Sequence, residues 1–457
     1  MLNSIFDQMD FGPLKEFLEE DDITDISYSN GGQVWLKTLS KGIYQVQRPD
    51  INDLFMAKLA FQCANVMGKT FNTASPFLDA ESAELRMNFV HESIATNGIA
   101  CLIRKTPAKI RLNKDKLINE QYVTAKVHDF LVKCVEGHAN IIVAGETGSG
   151  KTELVKYLAS KTKEDEKIIT IEDTLELHLD KIFPTRDIVA MKTNNIASYT
   201  ESLVACMRQN PIWILLSEVR SAEAVLAVRN SISSGHHILS TIHADKASSI
   251  PMRLYSLLES SQDIEQFLGS IHRYIQLGIY VKGYYSKRLG RFQREIMEIC
   301  EFYIDDDNKP QSRSLYQKSI DGKVILHNPS KNLLNYLEIG NVSLPEDTFG
   351  LGATGEGEDN TNNNVVKELT PSTPSTQAPS TPSTQAPSTP QTSNVTQSVN
   401  QTTNVVRTTQ QVTPSTPGVQ TQSVVNNNVV RPTVSPTPTV SQTSNPNIIN
   451  NATPVSA

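Results

Sequence analysis

Asn140-Ile141-Ile142-Val143-Ala144-Gly145-Glu146-Thr147-Gly148-Ser149-Gly150-Lys151-Thr152 decides the fold of this chain. Its first half is a short, continuous apolar run of the kind a strand shows when both its faces are buried in a parallel sheet. Its second half satisfies G-x-x-x-x-G-K-[ST], and Glu153 to Lys161 continues it as a helix. Glycines let backbone N–H groups turn inward around phosphate oxygens, and the helix N-terminus adds partial positive charge. In such a loop the lysine reaches the β- and γ-phosphates and the final hydroxyl ligates Mg²⁺. The candidate binding residues for ATP are therefore Gly145, Glu146, Thr147, Gly148, Ser149, Gly150, Lys151 and Thr152, with Thr152 as the Mg²⁺ ligand.

Working outward, helix and strand keep alternating. Residues 167–173 read as a strand, Tyr199–Arg208 as a helix, 212–218 as a strand, Ala222–Ser233 as a helix and 237–243 as a strand. This order predicts an α/β fold with a doubly wound parallel sheet. Beyond Pro251 helices are expected, then strands over 271–281 and 294–304 that finish or flank the sheet. Upstream the pattern changes to a mixed α+β one. Residues 22–29 and 33–37 read as strands joined through Asn30-Gly31-Gly32, 51–66 as a helix from its three- and four-residue apolar spacing, and 85–90 and 99–105 as strands. The expected organisation is an N-terminal α+β domain over 1–110, a linker over 111–125, a parallel-sheet domain over 126–350 and a tail over 351–457.

Composition sets the class. Of 457 residues 38% are hydrophobic, and the mean hydropathy is −0.30. No apolar run reaches the ~18 residues a membrane-crossing helix needs, and MLNSIFDQMD lacks the basic region and long apolar stretch of a secretory signal. A cytoplasmic protein without direct membrane insertion is expected. The net charge of −7 argues against a general nucleic-acid-binding surface. Five scattered cysteines without C-x-x-C predict buried, reduced thiols. The tail holds 13 of the 23 prolines, no aromatic residue, and the repeat PSTPSTQA at 371–378 and 379–386, so it is expected to be disordered.

Hydrolysis needs a group that orients or activates water at the end of a neighbouring strand. Glu218 stands there, after an apolar run. Glu172 and Asp173 end another strand, with Glu176 close behind, and carboxylates so placed hold Mg²⁺ through water or position the attacking water. Gly235-His236-His237 begins the next strand and His243 ends it, and of these His243 and His236 are expected to act beside the phosphate loop. Metal ligation by these histidines is disfavoured because no cysteine or carboxylate stands at a suitable spacing.

The order of the phosphate loop, then IEDTLEL, LLSEVR and GHHILSTIHAD, resembles the secretion ATPase superfamily, which powers type II and type IV secretion, conjugation, type IV pili and archaeal flagella. The resemblance runs from about Leu14 to Leu258 and includes LRMNFVHESIATNGIACLIRK in the N-terminal region. It implies a RecA-like P-loop ATPase domain over 126–350, with the blocks as Walker A loop, Asp box, atypical Walker B and His box. It further implies Glu172 and Asp173 near metal and water, Glu218 as the catalytic carboxylate, and His243 at the γ-phosphate. Arg104 corresponds to an N-terminal-domain arginine that approaches the nucleotide, and Arg220 and Arg208 to arginines near the site or a subunit interface. The implied protein is a homohexamer at the inner face of the cell membrane, working on protein components of a secretion or pilus machine. Ser217 replaces the usual Gly before the catalytic Glu, and Ile212 replaces the usual Asp. The compact N-terminal part and the absence of a tetracysteine zinc motif bring the chain closest to the conjugation-like or archaeal-type members. Two alternatives are a RecA-like nucleic-acid translocase and an ATP-binding scaffold with little turnover.

Overall fold

Apolar alternation early in the chain builds a six-stranded antiparallel sheet. Its strands are β1 (Ile23–Ser29), β2 (Gln33–Thr38), β3 (Gly42–Val46), β4 (Phe77–Glu81), β5 (Leu85–Val90) and β6 (Ala100–Lys105), in the order β3-β2-β1-β6-β5-β4. One face buries Ile26, Val34, Leu36, Met87, Phe89 and Ile103 with helix α1 (Asp53–Met67). The Asn52 side chain caps that helix by accepting from the Phe55 N–H at 3.0 Å. Successive side chains in a strand point to opposite faces. Asp25, which pairs in register with Lys37 and Arg104, therefore shares the other face with them. Strands β3 and β4 were not expected from the sequence. Both are edge strands with several exposed positions, so their apolar alternation is weak.

The computed structural model describes residues 9–194, 196–258, 263–352 and 356–358, all within one compact unit, Met1–Pro374. The second sheet has ten strands: β7 (Ile141–Gly145), β8 (Ile168–Glu172), β9 (Ile188–Lys192), β10 (Trp213–Val219), β11 (His237–Ile242), β12 (Leu277–Ser286), β13 (Arg291–Ile304), β14 (Pro310–Lys318), β15 (Val324–His327) and β16 (Glu356–Glu358). The run β12-β7-β11-β10-β8-β9 is parallel, and β13 to β16 continue it antiparallel. Helices α2 (Ala125–Glu136) and α3 (Lys151–Ala159) pack on one face through Phe130, Leu131, Leu154 and Leu158. Helices α4 (Tyr199–Met207) and α5 (Ala222–Ser233) pack on the other through Leu203, Val225 and Val228. Every residue of β7 is buried, as the apolar run implied. Each fully buried branched side chain of this kind stabilises the fold by about 1.5–3 kcal/mol.

Three expectations need correction or refinement. The stretch 271–281 is not one strand. Helix α6 (Ile264–Tyr274) occupies its start and β12 its end. The Asp263 side chain caps α6 at the Glu265 and Gln266 N–H groups, and Phe267 and Ile271 repeat at helical spacing into the core. The segment 111–125 contains a helix, Lys114–Asn119, and β9 is an edge strand with no fully buried residue that the sequence did not announce. All five cysteines are buried and free. The tail expectation over 351–457 falls outside the described residues, apart from Leu351, Gly352 and β16, which pairs with β15. Among the described residues no helix is long and apolar enough to cross a membrane.

Candidate functional site

The loop after β7 turns through glycines with positive φ at 145, 148 and 150. A Cβ on Gly145 would stand 2.3 Å from the Val281 carbonyl oxygen of β12, so no other residue fits there. Lys151 opens α3 nearly buried, and its Nζ donates to the carbonyls of Gly145 (2.9 Å) and Glu146 (3.1 Å). Burial lowers the Lys151 pKa, while the charges of Glu218 and Glu176 work to raise it. The Thr152 hydroxyl donates to Glu176 Oε2 at 3.1 Å, and the buried Ser149 Oγ has no hydrogen-bond partner among the described residues.

Parallel strands about 4.8 Å apart bring their C-terminal ends into one row. In that row the Glu218 carboxylate meets His243 Nε2 at 2.8 Å, both side chains partly exposed. Burial and the charge of Lys151 lower the His243 pKa, opposed by Glu218. Glu172 is fully buried and turned inward. Its Oε2 accepts the N–H groups of Glu176 (2.8 Å) and Leu177 (3.1 Å), so it shapes the turn that aims Glu176 at Thr152. Burial pushes the Glu172 carboxyl up to about 7. Asp173 pairs with Arg220.

The N-terminal sheet supplies the opposite wall. Arg104 Nε donates to Asp25 Oδ1 at 2.8 Å. Burial works against charge on Arg104, but Asp25, helped by Glu176 and Glu218, raises its pKa. A cavity of about 390 Å³ lies between this wall and the loop. Nine basic side chains line it against five acidic ones, in a chain whose net charge is −7. Lys37 and Arg294 are among those nine, and sequence reasoning missed both because neither lies in a phosphate-binding pattern. The residues present fit a nucleoside triphosphate with Mg²⁺. The glycine cradle has no room for a Cβ at 145, the cavity is cationic, and a threonine hydroxyl beside a carboxylate is the hard-oxygen donor set magnesium takes.

Not every expected residue arrives here. His237 begins β11 and His236 lies just before it, which places both about 20 Å or more from His243 along a six-residue strand. This corrects the expectation that His236 acts beside the phosphate loop with His243. His236 Nδ1 is hydrogen-bonded to the Pro211 carbonyl (3.0 Å), and the His237 ring lies 4.7 Å from that of His138. Arg208 follows α4, exposed, ahead of β10, and so belongs to that same far edge.

Residues 78–278 match the family described as Type II/IV secretion system protein. An uncharacterized protein of Bacillus anthracis is 30% identical over 293 residues, covering 62% of this chain and 66% of that protein. The type IV secretion system protein VirB11 of Bartonella quintana is 34% identical over 188 residues, covering 38% of this chain and 52% of that protein. This chain therefore spans between half and two thirds of those relatives' lengths. Among solved structures it is similar to the Legionella pneumophila ATPase DotB, with 16% identity, 67% of this chain and 82% of that chain covered, and a TM-score of 0.45. The matched span contains Arg104, the glycine loop, Glu172-Asp173, Glu218 and His243, so residues 78–278, which carry the site, belong to the type II/IV secretion system protein family.

Proposed function

We propose that this chain binds ATP with Mg²⁺ and hydrolyses it to ADP and phosphate, as a homohexameric motor of a type IV secretion, conjugation or pilus-type machine. The observation that carries this reading is the convergence of the Lys151 loop and the Glu218–His243 pair on one edge of the parallel sheet, with Arg104 facing them from the other sheet. Loop N–H groups and Lys151 hold the β- and γ-phosphates. Thr152 would ligate Mg²⁺, which when bound neutralises charge on those phosphates. Glu218 orients a water in line with the terminal phosphorus and accepts its proton as the new O–P bond forms and ADP leaves. His243 holds the Glu218 carboxylate and meets the γ-phosphate, while Arg104 offsets charge developing there. Asp173 fixes Arg220 at the rim, and Glu172 acts through the turn carrying Glu176. Arg208 does not reach this edge within one chain, so its part lies at the contact between copies.

In this reading residues 1–110 and 126–350 are two domains that share the nucleotide, and the motor works against protein components of the machine at the inner face of the cell membrane. Phosphate release from ATP by the full chain tests the core of it. Lys151→Ala is expected to lower turnover on the order of 10²-fold or more, and full turnover by that variant overturns the reading. Stimulation by DNA or RNA alone would instead favour a nucleic-acid translocase.

A further inference from the structure

The start of β13 is where three otherwise separate parts of the molecule meet. Gln293 Nε2 donates to the Glu120 carbonyl (2.5 Å), and the Tyr122 carbonyl accepts from the Ile296 N–H (2.9 Å), which fastens the segment between the two sheets. Glu295 forms a buried ion pair with Lys318 of β14 at 2.5 Å, and Lys318 also donates to the Gln121 carbonyl at 2.6 Å. With its neighbours so anchored, Arg294 has little freedom in where its side chain goes.

Its guanidinium spans the cavity wall. Nε donates to the Gly148 carbonyl of the phosphate loop at 3.2 Å, and Nη1 donates to the Leu39 carbonyl at 3.1 Å, in the turn between β2 and β3. The Phe292 N–H, on the same strand, donates to Ser40 of that turn at 3.2 Å. The Phe292 ring lies under the Arg294 guanidinium at 4.7 Å. Among the described residues Arg294 makes no ion pair with a carboxylate, so two backbone carbonyls and a ring face are its partners. A rigid planar fork suits two carbonyls at once, which a single ammonium cannot span.

We propose that Arg294 is a positioning residue that couples the phosphate loop to the N-terminal sheet, so that ordering the loop around a nucleoside triphosphate also orders the β2–β3 turn. This rests on the ATP reading above. Gly148 is the loop residue whose carbonyl must hold still while neighbouring N–H groups face phosphate, and Arg294 ties that carbonyl to Leu39. Nucleotide occupancy thereby becomes a contact on the sheet that carries Arg104 and Lys37.

Amide hydrogen exchange of the full chain, with and without saturating Mg-ATP, tests this directly. In the wild type ATP is expected to slow exchange in two segments, residues 145–150 and 39–42. In Arg294→Ala the loop should still respond while the turn loses its response, and Arg294→Lys should show the same loss with the charge retained. The lysine variant carries the comparison if the alanine variant does not fold. A turn that responds to ATP equally in wild type and variant overturns the coupling alone. A wild-type loop that does not respond overturns the ATP reading, and this inference with it.

Discussion

The two edges of the parallel strands use the same residue types to opposite ends. At the C-terminal edge Glu218 and His243 meet with both side chains partly exposed, beside a loop whose glycines leave room for a ligand. At the N-terminal edge Glu166 receives Trp213 Nε1 at 2.8 Å and His138 Nε2 at 2.6 Å, and His237 closes over them at 5.5 Å from the Trp213 ring. There every carboxylate oxygen of Glu166 is spent on a neighbour and aromatic rings exclude water. A histidine-carboxylate pair thus faces an opening at one end of the strands and is sealed among its neighbours at the other. What separates them is whether the backbone next to the pair leaves an opening.

The sharpest way to break this contrast is to neutralise the acid at each edge. Glu218→Gln is expected to lower kcat by about 10²–10⁴-fold, with the thermal midpoint near that of the wild type. A variant that keeps full turnover denies the open edge its role. Glu166→Ala should do the reverse. It leaves the Trp213 N–H buried and unpaired, at about 1–3 kcal/mol of unfolding free energy, readable by denaturant titration, with turnover per folded molecule unchanged.

The smallest expected effects lie in pH. Burial, with His138 beside it, pushes His237 down from its ordinary 6.5 to about 4. Between those values the unfolded chain holds a proton that the folded chain refuses, so stability falls as pH drops from 6.5 toward 4. Glu172 is opposite in sign. Its carboxyl rises from 4.5 to about 7, the folded chain keeps the extra proton between them, and stability falls as pH climbs through that window. In denaturant midpoints measured across pH 4.5–6.5, His237→Gln should flatten the acid-side loss and Glu172→Gln the alkaline-side one. Slopes unchanged in either variant would remove the difference between the edges.

Much of the parallel core was legible because buried parallel strands read as unbroken apolar runs. The segment NIIVAG, with all of β7 buried, is the clearest case. The edge strands β3, β4 and β9 were not, since half-exposed edges need little apolar alternation. The stretch 271–281 was misread for a related reason. Ile271 and Ile275 sit four apart, a spacing that both alternation and a helical face satisfy, and the Asp263 cap decides between them. His236 cannot act with His243, because parallel strands share a direction and a residue that begins one does not lie with residues that end its neighbour.

By itself the sequence determined the phosphate loop, the strand ends that carry Glu172, Glu218 and His243, and the α/β order that makes them neighbours, because each depends on local spacing and strand period. Only the tertiary structure decided the other half of the site. Asp25 and Lys37 join Arg104, the member of that half to which the family resemblance pointed, from a separate sheet, and Arg294 comes from a strand more than a hundred residues beyond the loop. Their meeting depends on which sheet face is left open and on how β13 threads between linker and loop. Those are matters of long-range packing, which no local pattern of residues encodes.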